Sequence, residues 1–256
     1  YPQIFDRLEE AKNEASLSLY ERALGPIGRW VCSHHPDYYI FGPIKDDWIE
    51  GSTFERLAWM RKMRTLNIQK ALDQMQQWME HEKADLRHLM LDLIGSDPNE
   101  KDLELLRSCT GDRSKKIRKR ALLLRLQLED ESLEEGFRSI INIETEDLAR
   151  LEINSDSMVS LLEKNGLQFG EKQSPDLFDL CRHASPKWWL HTSWKQCRKA
   201  IQSHKQSDRL VACLAWAGLY HDMDSLSISA VQQMLMRCDA SALIPFGERK
   251  FIHQLS

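Results

Sequence analysis

Three helix-opening motifs recur at nearly constant spacing in the first half of this 256-residue chain, and no other feature restricts its fold as strongly. The motifs are Phe-Glu-Arg-Leu from residue 54, Leu-Arg-His-Leu from residue 86 and Ile-Arg-Lys-Arg-Ala from residue 117, so successive motifs begin 32 and 31 residues apart. Such a repeat is typical of helix pairs that stack on their neighbours, because a single pair cannot bury its apolar face. The sequence therefore predicts an all-α fold, an α-solenoid of stacked antiparallel helix pairs.

The spacing of apolar residues elsewhere is helical as well. Apolar side chains recur at intervals of three and four, and the chain holds only 11 Gly and 8 Pro, so we expect no strands. A first helix is predicted from Pro2 to Gly25. Further helices are predicted at 54–67, 68–81, 84–94, 100–109, 114–128, 132–141, 176–183, 188–204, 208–221 and 225–238.

Two regions are expected along the chain. Residues 1–150 are predicted to form N-terminal helical repeats that carry an aromatic-rich loop at 25–52. Residues 151–256 are predicted to form a C-terminal helical region packed on those repeats. The seam is expected at 154–176, where Ser, Asn, Gly and Pro cluster.

The loop at 25–52 contains an adjacent cation and aromatic ring, Arg29 and Trp30. Aromatic anchors beside a cation commonly fix irregular connections onto a neighbouring helix. We therefore expect Arg29 and Trp30, with the rings of Tyr38 and Trp48, to pin this loop to the first repeat.

Composition excludes several classes of protein. The net charge is −4, so no global basic field attracts nucleic acid or anionic lipid. The longest uncharged apolar run, 211–220, has ten residues, well short of the roughly 20 that span a bilayer. The six cysteines are scattered singly, which favours a reducing cytoplasm. The chain starts at Tyr1 without a Met, so we expect a segment to be missing at its start.

Signatures of catalysis and of metal binding are missing from the sequence. There is no G-x-S-x-G, no P-loop and no dinucleotide-binding glycine pattern. The nine histidines and six cysteines do not repeat any zinc-ligand spacing. We therefore expect no catalytic residue, no cofactor and no bound metal.

A basic segment at 113–125 is the sharpest local signal, with seven Lys or Arg and no acid. Cations in a first helical turn oppose the helix dipole, so something must compensate them. Three explanations remain open: neighbouring acids at 97–104 and 129–131, an acidic protein partner, or nucleic acid. The candidate partner-binding residues are Lys115, Lys116, Lys119 and Arg120.

The same segment resembles the second helix of a HEAT repeat. The resemblance rests on Asp112, on the aliphatic–Arg pair Ile117-Arg118, and on the small residue Ala121. In HEAT proteins it implies an Asp and an Arg that pair between adjacent repeats, here Asp112 and Arg118.

A wider set of motifs resembles an uncharacterised bacterial family of HEAT-like helical proteins, most strongly over 23–128. The set comprises Leu-Gly-Pro-Ile-Gly-Arg-Trp ending at 30, His-Pro-Asp-Tyr ending at 38, Trp-Ile-Glu-Gly ending at 51, the motif at 54, Met-Arg-Lys-Met-Arg ending at 64, and the segment at 112–118. The resemblance implies genes encoded beside a MoxR-type AAA ATPase, a von Willebrand factor A protein and a SWIM zinc-finger protein.

Two functional hypotheses follow. The first is a non-catalytic interaction scaffold, an accessory to a MoxR-type ATPase and von Willebrand A system, because stacked helix pairs offer an extended surface without a reactive site. The alternative is a HEAT-like protein that binds or modifies nucleic acid, which requires the basic helix and aromatic rings on one face.

Overall fold

A computed structural model describes residues 51–144, 150–170 and 174–189, together with Gly25, Ile201, Arg209, Leu210, Cys213, Ala217 and His221. For Phe54, Trp189, 142–144 and 150 it describes the backbone alone. The chain divides into two compact units, residues 1–105 and 106–256. The two strands at Ile141–Glu144 and Arg150–Ile153, which pair with each other, both lie in the second unit.

The described part of the first unit consists of helices joined by short turns. Their bounds agree with the sequence prediction to within two residues: α1 (Thr53–Leu66), α2 (Ile68–His81) and α3 (Ala84–Ser96). A 3₁₀ turn at Glu100–Asp102 follows, and α4 (Leu103–Ser108) begins in this unit and ends in the second. The predicted helix at 100–109 is therefore an α-helix only in its middle.

Side-chain caps explain where the first two helices begin and end. A capping box opens α1: the Ser52 hydroxyl accepts from the backbone N–H of Glu55, and the Glu55 carboxylate accepts from the N–H of Ser52. A single residue, Asn67, separates α1 from α2. Its N–H closes the last turn of α1, and its side-chain oxygen accepts from the N–H of Lys70.

The core of the first unit contains a buried ion pair at its edge. Helices α1, α2 and α3 pack on one another around fully buried methionine and aliphatic side chains, among them Met60, Met75 and Ile94. Arg64, in the last turn of α1, donates to both carboxylate oxygens of the fully buried Asp102, at 2.6 and 2.9 Å. The negative charge of Asp102 is therefore balanced by the guanidinium group of Arg64.

The second unit contains more helices and one hairpin. A 3₁₀ turn at Cys109–Gly111 precedes α5 (Lys115–Gln127) and α6 (Glu131–Arg138). The hairpin and three further helices follow: β1 (Ile141–Glu144), β2 (Arg150–Ile153), α7 (Ser155–Lys164), α8 (Leu177–His183) and α9 (Pro186–Trp189). The stretch at 154–176, predicted as a seam, thus contains a capped helix.

The hairpin corrects the expectation that the chain holds no strands. Its strands pair antiparallel, with Ile141 opposite Ile153 and Ile143 opposite Leu151. These apolar residues alternate along each strand, which is the period of a half-buried sheet. In the described ranges the hairpin is the sole sheet beside nine α-helices, so the all-α class is confirmed.

Helix α6 is the centre of packing in the second unit. It contacts α7, α9 and β1, while α5 packs against α8. Phe137 on α6 is fully buried, and its ring centre lies 6.0 Å from that of Trp188 on α9. Gly136 lets α6 approach α7, because a Cβ at this position would lie 3.0 Å from the Leu161 side chain. The close contact of α6 and α7 therefore depends on a glycine.

Candidate functional site

The basic segment forms α5, and its apolar face is buried as predicted. Ile117, Ala121 and Leu124 are fully buried, and Leu128, just after the helix, is half-buried. The turn before the helix is fixed by Asp112, whose carboxylate accepts from the N–H of Ser114 at 2.7 Å. The cations of this segment must therefore lie at the margins of the buried face or away from it.

The four candidate partner-binding residues fall into two groups. Lys115 and Lys116, in the first turn of α5, are exposed to solvent. Lys119 is half-buried, and its Nζ donates to the carboxylate of Asp179 on α8 at 2.7 Å. Arg120 is half-buried. The packing of α5 on α8 therefore places Lys119, whose side chain is 29% exposed, in an ion pair within the chain.

The structure brings Asp112 and Arg118 together through the main chain of Asp112. The Arg118 guanidinium donates from Nη1 to the backbone carbonyl of Asp112. Its side chain crosses Gly166, which follows α7, and a Cβ at 166 would lie 2.9 Å from both Arg118 Cδ and the carbonyl oxygen of Thr110. The Arg118 side chain thus packs against Gly166, two residues after α7.

Gly166→Ala is expected to destabilise the protein by about 2 to 4 kcal/mol, because a left-handed alanine and an overfilled contact each carry a cost. The φ angle of Gly166 is +69°, which L residues rarely adopt. Gly170→Ala is the matched control: its φ is +79°, but nothing lies within 4 Å of the new methyl group. We expect the control to lose only about 1 to 2 kcal/mol in urea denaturation. Equal losses for the two variants would contradict the close contact at 166.

A buried carboxylate lies at the C-terminal end of α5, in a group that we call the Asp130 cluster: Arg107, Arg125, Asp130, Ser132 and Asn165. Asp130 is fully buried and accepts from Arg125 Nε at 2.7 Å and from the Ser132 hydroxyl at 2.8 Å. Arg107 donates to both of its oxygens, from Nε at 3.1 Å and from Nη2 at 2.8 Å. Two guanidinium groups therefore share one carboxylate.

Charge and hydrogen bonding decide the ionisation of Asp130. Burial by itself raises the pKa of this carboxyl, but the hydrogen bonds from Arg107, Arg125 and Ser132 outweigh that effect and hold the pKa well below its ordinary value. The same pairing raises the pKa of Arg107. Asp130 is consequently ionised at neutral pH.

Arg125 connects three segments through this cluster. Its side chain is only 7% exposed, and Nη1 donates to the Asn165 side chain at 2.7 Å while Nη2 donates to Ser132 at 3.0 Å. Asn165 in turn donates to the carbonyl of Leu161 on α7 at 2.8 Å. The end of α5, the start of α6 and the end of α7 are therefore joined by one guanidinium.

The sequence analysis named the acids at 129–131 as one explanation for the basic segment, and the ion pair of Arg125 with Asp130 agrees with it. It did not single out Arg107 or Asn165. Asp130 did carry one local signal, because an Asp before Glu131 and Ser132 is a favoured helix cap. Its carboxylate caps α6 by accepting from the N–H of Ser132 at 3.2 Å. Arg107 and Asn165 are brought to it only by the tertiary fold.

Burial shifts the pKa values of three side chains in the second unit, Cys181, Cys213 and His183. Burial raises the pKa of the Cys213 thiol to about 12 and that of Cys181 well above its usual range. Burial likewise lowers the pKa of His183 to about 4, so its ring is neutral at physiological pH. Thiols that stay protonated are poor nucleophiles and poor metal ligands. Across the described ranges, no three His, Cys, Asp or Glu residues are grouped so as to hold a metal ion.

His221 fixes one position of the C-terminal region against the rest of the unit. Its Nδ1 lies 2.9 Å from the Glu129 carboxylate, and its Nε2 lies 3.0 Å from the backbone carbonyl of His183. Each ring nitrogen of His221 therefore lies within hydrogen-bond distance of an oxygen atom.

The predicted loop anchor, Arg29 and Trp30 with Tyr38 and Trp48, lies outside the described residues. So do the predicted helices at 2–24 and 225–238 and most of those at 188–204 and 208–221. Within 208–221, the described positions Arg209, Leu210, Cys213 and Ala217 are helical.

The fold and the site together define a mainly helical protein with a partly exposed basic helix. The chain belongs to a family of unknown function, DUF5691, whose family model matches residues 3–239. This match confirms the resemblance to an uncharacterised family. No match was found among curated proteins or among solved structures. Among the helices that the structure describes, none is both long and apolar enough to cross a membrane.

Proposed function

We propose that the protein is a non-catalytic helical scaffold that docks an acidic surface of a partner protein through the first turn of α5. The proposal rests on a difference between the cations of the basic segment. Lys115 and Lys116 are exposed, whereas Lys119 and Arg125 form ion pairs within the chain. Internal acids account for the second pair of cations. Lys115 and Lys116 lie at the surface, where a partner protein can reach them.

The electrostatics of the helix end favour an anionic partner. The first turn of α5 contains no acid, and the Ser114 side chain makes no capping hydrogen bond. A helix N-terminus carries partial positive charge, to which the two lysines add. A carboxylate from a partner would interact favourably with both sources of charge, in addition to the Asp112 carboxylate that already accepts from the N–H of Ser114.

The architecture supports a scaffold role. The motif spacing of 32 and 31 residues and the packing of α1, α2 and α3 suit a HEAT-like solenoid of stacked helix pairs, which offers a long surface to partners. The family resemblance suggests the partner, a MoxR-type AAA ATPase or a von Willebrand A protein, in the cytoplasm.

Reversing the exposed charges tests this proposal. We expect Lys115→Glu with Lys116→Glu to slow association with the purified ATPase or von Willebrand A protein roughly tenfold at low salt, because rim charges mainly steer encounter. The difference should shrink as the Debye length falls from about 10 Å to about 3 Å. Biolayer interferometry across a salt series measures both effects.

The matched control is Lys70→Glu with Lys101→Glu, which changes the same charge at two exposed positions of the first unit. We expect the control to associate at close to the wild-type rate. Equal slowing in both double variants would mean that total charge, and not the end of α5, steers binding. No association with either protein, together with tight, salt-sensitive binding to DNA or RNA, would replace the scaffold by the nucleic-acid alternative.

A further inference from the structure

A polar cleft runs between α6 and α7 in the second unit. Its volume is about 530 Å³, within the range of small-molecule sites. Helix α6 lines it with Ser132, Glu135, Gly136 and Ser139, and α7 lines it with Ser157, Ser160, Leu161 and Lys164. In each helix these positions are three and four residues apart, so each helix presents one continuous face. We call this feature the α6–α7 cleft.

Cations gather on its lining. Arg107 and Arg125 of the Asp130 cluster line the cleft together with Lys164. Asp130 balances one of these charges from its buried position, and Glu135 is the anionic side chain on the lining. The lining thus carries three cations and one carboxylate, while the buried Asp130 and the nearby Glu131 also attract Arg107.

Two side chains on the lining, Arg107 and Lys164, have hydrogen-bond donors without an acceptor among the described residues. Arg107 uses Nε and Nη2 on Asp130, which leaves both N–H groups of Nη1 without an acceptor in the described part of the chain. Its side chain is 52% exposed. Lys164 is exposed and forms no ion pair with any described residue. Arg107 and Lys164 therefore have donors that an acceptor-rich anion would satisfy.

The Asp130 cluster prepares Arg107 for such a ligand. A bidentate contact with a buried carboxylate fixes the plane of the guanidinium, so less side-chain entropy is lost when a ligand binds its remaining edge. Phosphate suits this pair of residues, since Arg donates to phosphate oxygens in a fixed geometry and Lys contributes a point charge.

The size and polarity of the cleft define the rest of the ligand. The volume exceeds that of a single phosphate group, and Leu133 and Leu161 are the only large apolar side chains on the lining. Glu135 accepts hydrogen bonds, while the hydroxyls of Ser157 and Ser160 both donate and accept. These groups match the hydroxyls of a sugar better than an apolar ring.

We propose that the α6–α7 cleft binds a phosphate monoester of a small polyhydroxylated molecule. Arg107 and Lys164 hold the phosphate, and Glu135 with the α7 serines hydrogen-bonds the hydroxyls. This site is independent of the docking surface at the start of α5, and either proposal stands if the other fails.

Calorimetric titration with three probes at equal ionic strength tests the ligand class: ribose 5-phosphate, inorganic phosphate and ribose. We expect ribose 5-phosphate to bind at least about tenfold more tightly than inorganic phosphate, which corresponds to about 1.4 kcal/mol. Ribose alone should give no measurable binding. Failure of ribose 5-phosphate to bind, or equal affinity for inorganic phosphate, would overturn the proposal.

Two variants place the binding in the cleft. Lys164→Glu should weaken ribose 5-phosphate at least about tenfold without changing the melting temperature of the free protein, because its side chain is exposed and unpaired among the described residues. Lys187→Glu, an exposed lysine of the same unit outside the cleft lining, is the control and should bind normally. Glu135→Gln should weaken ribose 5-phosphate but not inorganic phosphate. Unchanged binding in Lys164→Glu, or equal loss in the control, would show that the ligand binds elsewhere.

Discussion

Replacing Asp130 by Ala is expected to lower the free energy of unfolding by about 3 to 5 kcal/mol, the usual cost of removing one partner of a buried ion pair. The loss arises because Arg125, only 7% exposed, keeps its charge and its burial but loses its counter-ion. Urea denaturation followed by circular dichroism measures it. Glu163→Ala, which removes an exposed carboxylate on α7, is the control and should change stability by no more than about 0.5 kcal/mol.

The same carboxylate gives a signed pH dependence. Its pKa is lower in the folded protein than the ordinary value of 3.8, so the unfolded chain binds this proton first as the pH falls. Asp130 therefore stabilises the fold fully above about pH 4 and progressively less on further acidification. Between pH 4 and pH 2, stability should fall less steeply in Asp130→Asn than in the wild type. Parallel curves for the two proteins would contradict the ionised, paired state of Asp130.

Phe137→Ala is expected to cost a similar amount, about 3 to 5 kcal/mol, because it opens a cavity in a well-packed core. The side chain is fully buried between α6 and its neighbours, and the contact with the Trp188 ring is lost as well. The midpoint of urea unfolding should fall accordingly, with the slope unchanged.

Phe169→Ala is the matched control for this second variant, since it removes the same side chain from a position that is 52% exposed. We expect its effect to stay within about 0.5 kcal/mol. A loss below about 1 kcal/mol for Phe137→Ala would mean that α6 is not the centre of packing in the second unit.

Local signals were sufficient to place most of the described helices. The ends of α1 and α2 follow from Ser52 and Asn67, residues whose caps are formed within three positions of themselves. The buried stripe of α5 follows from apolar spacing alone. The hairpin was not predicted from the sequence because each strand has only two alternating apolar residues, too few to be distinguished from the surrounding helical patterns.

The candidate sites depended on contacts that are distant in sequence. Lys119 and its partner Asp179 are 60 positions apart, and Arg125 and Asn165 are 40 apart, so no local pattern connects them. Sequence identified the cations of α5 as unusual. Only the packing of α5 on α8 separated the cations that stabilise the fold from those that face solvent.

The lining of the α6–α7 cleft includes a position, Gly136, at which a single amino-acid change would alter the packing of the two helices. A methyl group here would lie 3.0 Å from the end of the Leu161 side chain, which would have to give by a few tenths of an ångström. Glycine and alanine codons differ by one nucleotide, and alanine is also the better helix former. A single point mutation can therefore add a methyl group to the lining of the cleft and raise the helix propensity of α6 at the same time.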